Sequence, residues 1–434
     1  MIQKLPTKEV FALGFFMFAL FLGAGNLIFP PLLGQQAGES MWAAILGFLV
    51  TGVGLPLFAI ITISNVEGNL DVLAKRVHKS FALVFPVVIY LTIGPFFGIP
   101  RTGTVAYEVG VVPFLVEANK FSLFVSTLAF FSITFWLALN PAKLVDRVGK
   151  ILTPILFLLI VILSIRSFFS PIGEIGEAME SYIDGAFFNG FLEGFLTMDA
   201  IAALVFGIVI INRIQEKGIK AVGDIRSYTI KAGLIAGVGL SFVYIALAYM
   251  GATSVNPVGV QDNGGAILAA VTSLLFGSFG TILLAVVITG ACLTTSIGLV
   301  SACGEYLAGR FNKVSYPVII AILCLFSFTM ANLGLSQLIS VSLPLLIAIY
   351  PITIVLISLS IWQKKNPLPS SLYIGAIIGA GVVSIYDGLT MTGIEIAIIS
   401  SAFAYLPLYA EGIGWIVPSI VGGLIGTLCH YGKR

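Results

Sequence analysis

Two acidic residues lie inside one strongly apolar segment, residues 187–211. They are Glu193 and Asp199. If the segment crosses a bilayer, a carboxylate at its centre costs at least ~2.5–3.5 kcal/mol, so its presence indicates a functional role. Asp199 is therefore a candidate counter-charge for an ammonium group or a metal cation, supported by Thr197 and exposed carbonyl oxygens. The alternative is that one of the two carboxylates caps a half-helix. We interpret Glu193 as a helix-network residue, which bonds neighbouring helices to one another, or as a gate residue.

A second unusual stretch interrupts the first apolar segment, residues 10–34. Residues 21–31 read FLGAGNLIFPP, with two glycines and an asparagine near mid-depth. These residues form helices poorly, at roughly 0.5–1 kcal/mol each against alanine. Unwound backbone at membrane depth is tolerated where it lines a wet cavity, and its free peptide groups can then bind an ion or a charged solute. We predict a helix break that forms half of a binding site; helix packing through small residues is the alternative.

A third segment is rich in hydroxyl groups: residues 290–296 read GACLTTS. Hydroxyls in membrane helices commonly bond back to a carbonyl one turn earlier, which is the local explanation. Placed opposite the broken first segment, two adjacent hydroxyls and backbone carbonyls would instead form an all-oxygen cage for one monovalent cation such as Na⁺.

The segment at residues 94–104, GPFFGIPRTGT, contains two prolines that interrupt its helix. Arg101 and Glu108 are seven residues apart and would share a helix face. An ion pair between them is our interpretation, and contact of Arg101 with a substrate is the alternative.

The composition indicates an integral membrane protein. Of the 434 residues, 58% are hydrophobic and only 10% are charged, and the mean hydropathy is +1.08. A soluble globular protein carries about 25% charged residues. The chain has no basic stripe for nucleic acid and no GxSxG, HExxH or phosphate-loop motif, so we expect neither a nucleic-acid partner nor an enzyme. No stretch is long enough for a nucleotide-binding domain, and no obligate protein partner is evident.

About twelve apolar segments can cross a bilayer at ~20 residues each. They cover residues 10–34, 41–64, 80–106, 121–139, 149–168, 187–211, 228–251, 279–303, 314–331, 336–361, 371–390 and 411–429. The connector 251–278 is predicted to form an external hairpin or lid. A further crossing at 394–404 is the alternative, but that piece is short. Of the 22 Lys and Arg, only Arg101, Lys120 and Arg166 fall in the outer half, which places both termini in the cytoplasm.

The glycine break and the acidic segment are separated by five crossings, so they run in opposite directions through the bilayer. Two irregular helices at corresponding places in antiparallel halves indicate a binding site at a repeat interface.

The motifs at residues 23–31, 95–104 and 196–200 resemble signatures of the branched-chain amino acid transport system II carriers, the LIVCS family. The resemblance covers nearly the whole chain. It implies a cation-coupled importer of leucine, isoleucine and valine in the bacterial inner membrane, related to the amino acid–polyamine–organocation superfamily. The implied fold is an all-α, LeuT-like five-plus-five inverted repeat with two extra helices. The repeats would span residues 1–168 and 187–361, and the extra helices residues 371–429, in one transport domain of residues 1–434.

The same resemblance implies roles for individual residues. The amides after the first break would hold the substrate carboxylate, and Na⁺ would be bound by two carbonyls of the first segment together with the hydroxyl-rich segment. The amides that the resemblance implies are those of Ala24, Gly25 and Asn26. The residue types themselves add further candidates: Gly23, Thr197 and Asp199 as ligands, and Phe195, Met198 and Ile201 as lining of an apolar pocket. The implied sodium ligands are the carbonyls of Ala19, Leu22 and Ala291 and the hydroxyls of Thr294 and Thr295. Many relatives carry an uncharged hydroxyl residue at Asp199, so its role stays open between substrate and ion.

We therefore expect a Na⁺-coupled symporter for Leu, Ile and Val that works by alternating access within membrane lipid. A proton-coupled carrier that uses Asp199 or Glu193 is one alternative. A channel is the other.

Overall fold

The computed structural model describes residues 5–66, 68–139, 144–311, 313–361 and 368–432, with the side chains of 144–153 excepted. Eight helical stretches in this part of the chain are long and apolar enough to cross a membrane, and three shorter apolar helices accompany them. The chain is therefore a multi-pass, all-α membrane protein. The number of twelve crossings and the division into repeats stay predictions.

Twenty α-helices follow one another along the described chain. They are α1 (Thr7–Phe21), α2 (Ala24–Ala37), α3 (Met41–Leu49), α4 (Leu55–Ser64), α5 (Leu70–Lys75), α6 (Lys79–Leu91), α7 (Gly98–Gly110), α8 (Lys120–Ala138), α9 (Leu144–Phe169), α10 (Glu180–Ile183), α11 (Ala186–Glu193), α12 (Asp199–Glu216), α13 (Val222–Ala252), α14 (Val255–Val258), α15 (Gly264–Arg310), α16 (Tyr316–Ala331), α17 (Leu335–Ile361), α18 (Ser370–Thr390), α19 (Ala397–Phe403) and α20 (Ile416–Tyr431).

The first apolar segment is broken where its glycines predict. Helix α1 ends at Phe21 and α2 begins at Ala24. Between them Leu22 has a ψ of 78° and Gly23 is extended, with φ −103° and ψ −173°. The chain thus leaves helical geometry in the middle of a hydrophobic segment, and the predicted break is confirmed.

The acidic segment is also irregular. Helix α11 ends at Glu193, a 3₁₀ turn covers Gly194–Thr197, and α12 starts at Asp199. Met198, between the turn and α12, lies in the left-handed region with φ 62°. A non-glycine residue in this region costs roughly 1–2 kcal/mol. Such strain persists only where the surroundings fix it, and it clusters at functional sites.

A third break separates α6 from α7. A π-helical turn covers Thr92–Phe96, and the ψ of Gly94 within it is −119°. Pro95 lies in this break, whereas Pro100 lies in the first turn of α7, where its missing N–H leaves no helical carbonyl unpaired.

The connector 251–278, predicted to form an external hairpin or lid, contains α14 and the first part of α15. Residues 264–276 form the first part of α15, which kinks at Gly277, where φ is 61°. A Cβ on Gly264 would overlap the carbonyl oxygen of Ile28, so this piece packs directly on the backbone of α2. Helix α19, at residues 397–403, has seven residues and a length of ~10 Å, too short for an additional crossing.

Glycines four residues apart in an apolar segment predict close helix packing, and such pairs in this chain do pack helices. A Cβ on Gly375 would overlap the carbonyl oxygen of Gly422, and one on Gly379 that of Pro418, so α18 and α20 meet backbone to backbone. Gly233 and Gly237 instead meet the side chain of Leu57.

Candidate functional site

The breaks in the first and sixth predicted segments face the same small cavity, of about 50 Å³. The end of α1, the start of α2, α7, the start of α12 and α15 surround it. The residues predicted for the site that line this cavity are Gly23, Ala24, Gly25, Asn26, Thr197, Met198, Asp199 and Thr295. The structure thus brings together ligands that the sequence places up to 272 positions apart.

The first break presents free peptide groups of both signs. Within the described chain, the N–H groups of Ala24, Gly25 and Asn26 donate to no acceptor, and the carbonyls of Ala19 and Leu22 accept no hydrogen bond. The N–H of Gly23 donates to the Phe21 carbonyl (2.7 Å) and to Asn26 Oδ1 (3.2 Å). A helix N-terminus carries roughly +0.5 of a charge. The start of α2 is therefore suited to a carboxylate, and the end of α1 to a cation.

Asp199 is held by side chains of two other helices. Its Oδ2 accepts hydrogen bonds from Asn26 Nδ2 (2.5 Å) and from the Tyr244 hydroxyl (2.9 Å), and Asn26 Nδ2 also donates to the Tyr244 oxygen. Its Oδ1 has no hydrogen-bond partner within the described chain. The carboxylate does not cap α12, so that alternative is wrong for Asp199. One oxygen anchors the group and the other is available to a cation.

The carbonyls of the sixth segment are less available than predicted. The Gly194 carbonyl accepts a hydrogen bond from the Thr197 hydroxyl, and the Phe195 carbonyl accepts one from the Met198 N–H. The Leu196 carbonyl accepts one from Arg101 Nη1. Within the turn at 194–197, the carbonyl of Thr197 alone lacks a hydrogen-bond donor from the described residues. This segment therefore contributes a side-chain carboxylate and at most one carbonyl.

The hydroxyl-rich segment of α15 faces the end of α1. The Thr294 hydroxyl donates to the Ala291 carbonyl (2.8 Å), the local bond that the sequence left as an alternative. The Thr295 hydroxyl makes no hydrogen bond within the described chain, and Thr295 Cγ2 would lie 3.6 Å from a Cβ on Gly23. Unpaired carbonyls on α1 and a free hydroxyl on α15 form a neutral oxygen donor set of the kind that suits a hard monovalent cation.

Some predicted lining residues do not reach the cavity. Phe195 is 1% exposed and stacks on Tyr350 with ring centroids 4.3 Å apart, and Ile201 is fully buried behind the site. The apolar lining comes instead from Ala202 and Phe206, on other faces of α12, and from three other segments, which contribute Phe21, Ile93 and Leu299. Glu193 lies outside the lining and accepts a hydrogen bond from Tyr182 (2.5 Å), consistent with a helix-network role.

Arg101 does not form the predicted ion pair with Glu108. Its Nη1 instead donates to the Leu196 carbonyl (2.5 Å), at the sixth-segment break. Both residues lie on the continuous helix α7, where seven residues place Glu108 ~10.5 Å further along the axis, and Arg101 lines the cavity.

A second, larger cavity of about 930 Å³ leads to the site from the side where α1 begins. Helices α1, α9 and α12 border it, and Leu20, Phe206 and Thr295 line both cavities. A cavity of ~150 Å³ holds benzene. The small cavity is a third of that size, so an amino acid would need it to widen.

A deep site between two broken helices of an all-α membrane protein defines this protein as a membrane transport protein of the LeuT-like fold. Two solved structures share the fold. Mhp1, a nucleobase-cation-symport-1 family transporter, in a closed conformation with bromovinylhydantoin bound, aligns with a TM-score of 0.62 at 13% identity, over 98% of this chain and 93% of that one. MhsT in complex with L-phenylalanine aligns with a TM-score of 0.51 at 16% identity, over 96% and 97%.

The chain belongs to the family described as "Branched-chain amino acid transport protein", whose model it matches over residues 6–433. It is 49% identical to the branched-chain amino acid permease BraB of Bacillus subtilis, over 98% of this chain and 96% of that protein. It is 43% identical to the branched-chain amino acid transport system 2 carrier protein of Pseudomonas aeruginosa, over 97% and 96%. The predicted resemblance is confirmed, and the protein is a transporter and not an enzyme.

Proposed function

We propose that this protein is a Na⁺-coupled symporter that imports leucine, isoleucine and valine across the bacterial inner membrane by alternating access. Both termini lie in the cytoplasm in this proposal. The family and the names of its relatives support branched-chain amino acids as the substrate. The distribution of Lys and Arg supports the orientation.

One observation carries the proposal: the free backbone groups of the first break and the free oxygen of Asp199 border the same cavity. An α-amino acid carries a carboxylate and an ammonium close together. The amides at residues 24–26 suit the carboxylate, and Asp199 Oδ1 suits the ammonium.

The apolar lining supports a branched side chain. Ile93, Phe206 and Leu299 offer no hydrogen-bonding group to the cavity. A pocket of this kind distinguishes side chains that differ by one methylene by only ~1–3 kcal/mol. We therefore expect overlapping specificity for leucine, isoleucine and valine.

Sodium would bind between the end of α1 and α15, in contact with the carbonyls of Ala19, Leu22 and Ala291 and the hydroxyls of Thr294 and Thr295. This position borders the larger cavity, which in the proposed orientation opens to the cytoplasm. An ion there would hold α1 against α15, and its departure would free α1 to move. A ligand shifts such an equilibrium only by its differential affinity for the two states.

Proton coupling is the second candidate, because two carboxyl groups border or adjoin the sixth-segment break. Asp199 is buried, and Glu193 has the Tyr182 hydroxyl as its partner. Sodium is favoured by the carbonyl of Ala19 and the hydroxyl of Thr295, both unbonded among the described residues, which line one cavity, are suited to a cation and do not titrate near neutral pH.

The experiment is leucine uptake into proteoliposomes that contain the purified protein, with sodium and proton gradients imposed separately. We expect accumulation above the external concentration with a sodium gradient and none with a pH gradient in sodium-free buffer. Accumulation that a pH gradient alone drives would replace sodium with protons. Uptake that only equilibrates leucine under either gradient would indicate a channel.

A further inference from the structure

Arg101 is a buried cation at the centre of the site. Its residue exposure is 3%, and it lines the small cavity. Nη1 donates to the Leu196 carbonyl, and the guanidinium carbon lies 4.9 Å from the centroid of the Phe29 ring. One edge of the guanidinium is therefore fixed by the sixth-segment break and its face by α2.

The rest of the guanidinium has no protein partner. Nε and Nη2 of Arg101 are buried and make no hydrogen bond within the described chain. Buried charged groups are normally paired and hydrogen-bonded, because an uncompensated one is costly. An arginine fork with two unused donors matches a carboxylate, which accepts two parallel hydrogen bonds.

The described residues offer Arg101 no carboxylate as a salt-bridge partner. No salt bridge joins Arg101 to Glu108 or to Asp199 within 4.0 Å, although Asp199 borders the same cavity. Arg101 and Asp199 are therefore two opposite charges with a gap between them. A zwitterion in that gap would pair with both.

The start of α2 adds to the positive potential beside Arg101. A Cβ on Gly25 would lie 3.0 Å from Arg101 Nη1, so the guanidinium lies directly against the backbone of Gly25. The free N–H groups of residues 24–26 belong to the same helix terminus. Two independent features that favour an anion, a helix N-terminus and an unpaired arginine edge, thus converge at one place.

We infer that Arg101 binds the substrate carboxylate through its free guanidinium edge, together with the amides after the first break, while Asp199 binds the ammonium. This inference rests on the proposed function. It assigns recognition of the α-carboxylate to a side chain of α7 as well as to the backbone. The site should therefore require both charges of an α-amino acid and reject an amine that lacks the carboxylate.

The test compares leucine with leucinol, in which a hydroxymethyl group replaces the carboxylate. Binding of each to the purified wild-type protein and to Arg101→Gln is measured by isothermal titration calorimetry in saturating NaCl. We expect the wild type to favour leucine at least ~100-fold, since a buried charge pair is worth several kcal/mol. Arg101→Gln should weaken leucine binding about 100-fold and leave leucinol binding unchanged or stronger, because a positive charge near a cationic ligand has been removed.

A conservative variant and an off-site control complete the test. Arg101→Lys keeps the charge but loses the fork, so the preference for leucine over leucinol should fall about tenfold even if Arg101→Gln fails to fold. Arg166→Gln removes an exposed arginine of α9 and should leave the preference unchanged.

Two results would overturn the inference. Equal loss of leucine and leucinol affinity in both Arg101 variants would mean that Arg101 only secures the Leu196 carbonyl. An unchanged preference for leucine would leave recognition of the carboxylate to the backbone alone. A wild type that binds no leucine would instead overturn the proposed function together with the inference.

Discussion

The two breaks that border the cavity are built in different ways. The first, at Leu22 and Gly23, has no charged side chain, and the N–H groups of residues 24–26 and the carbonyls of Ala19 and Leu22 have no hydrogen-bond partner among the described residues. The second, around Met198, satisfies most of its own carbonyls and offers the carboxylate of Asp199. One break contributes backbone and the other contributes a side chain.

This difference shows how an apolar segment can supply each half of a zwitterion site. A carboxylate ligand needs donors, and backbone N–H groups at a helix start provide them, beside the guanidinium of Arg101 inferred above. An ammonium ligand in lipid surroundings needs a formal negative charge, which carbonyl dipoles supply only in part. The second break therefore stays compact, and it holds Asp199 at the start of α12, where the helix dipole stabilises an anion.

Asp199→Asn is the sharpest test of the second break, because it removes the charge and keeps the shape. Loss of one partner of a buried, hydrogen-bonded charge pair costs about 2–5 kcal/mol. We expect leucine affinity to fall at least ~100-fold, measured by calorimetry in NaCl. Asp184→Asn, which neutralises an exposed carboxylate between α10 and α11, is the control. Wild-type affinity in Asp199→Asn would refute the assignment of the ammonium to this residue.

Gly25→Ala is the corresponding test of the first break. The added methyl would lie 3.0 Å from Arg101 Nη1 and 3.3 Å from the Phe29 ring, at the place where the substrate carboxylate is proposed to bind. We expect leucine affinity to fall about tenfold while the melting temperature stays within a few degrees, because alanine favours the helix by ~1 kcal/mol. A Cβ on Gly223 meets no atom within 4 Å, so Gly223→Ala should change neither quantity. Unchanged leucine binding in Gly25→Ala would show that the start of α2 is not in contact with the substrate.

Thr295→Ala tests the carbonyl side of the first break, where sodium is proposed to bind. Loss of one oxygen ligand should raise the sodium concentration for half-maximal leucine uptake about tenfold, or ~1.4 kcal/mol, within the range for a hydrogen bond or ligand contact to a charged group. Thr294→Ala should act in the same direction. Ser301→Ala is the control, since that hydroxyl lies on the same helix and bonds back to the Ile297 carbonyl. Sodium activation that is unchanged in both threonine variants would remove this site.

Tyr244→Phe should have the smallest effect. It removes one of the two hydrogen bonds to Asp199 Oδ2 and retains the ring that packs edge-on against Phe48. A neutral donor to a buried group contributes about 0.5–1.5 kcal/mol, so leucine affinity should fall roughly 3- to 10-fold. Tyr249→Phe, on the same helix, should leave affinity unchanged. A loss in Tyr244→Phe as large as that of Asp199→Asn would mean that Tyr244 contacts the substrate itself.

The sequence predicted those parts of the site whose residue types do not suit an uninterrupted apolar helix. Glycines at 23 and 25 and a carboxylate at 199 conflict with an uninterrupted apolar helix, so each pointed to function without knowledge of the fold. The opposite directions of the two breaks stay a prediction, since they rest on the number of crossings between them. The glycine spacing on α18 and α20 indicated close helix packing, and the structure supplies the partner of each helix.

The parts that the sequence missed depend on how helices rotate and slide against one another. Tyr244 is an ordinary tyrosine in a long apolar helix, and nothing near it in sequence indicates that it faces Asp199. Phe195 and Ile201 adjoin Asp199 in sequence but point away from the cavity, because the left-handed turn at Met198 rotates the chain. Arg101 was paired with Glu108 because the two share a face of α7, but seven residues are ~10.5 Å apart along a helix, and Arg101 instead reaches the Leu196 carbonyl.

The central claim is that the two breaks together enclose the amino acid. A cryo-electron microscopy map of the protein in lipid nanodiscs, recorded with leucine and NaCl and again without leucine, tests it directly. We predict leucine density between the amides of residues 24–26 and the carboxylate of Asp199, in a cavity wider than the present 50 Å³. Density for leucine at any other place, with the cavity between the breaks still too small to hold it, would contradict the account.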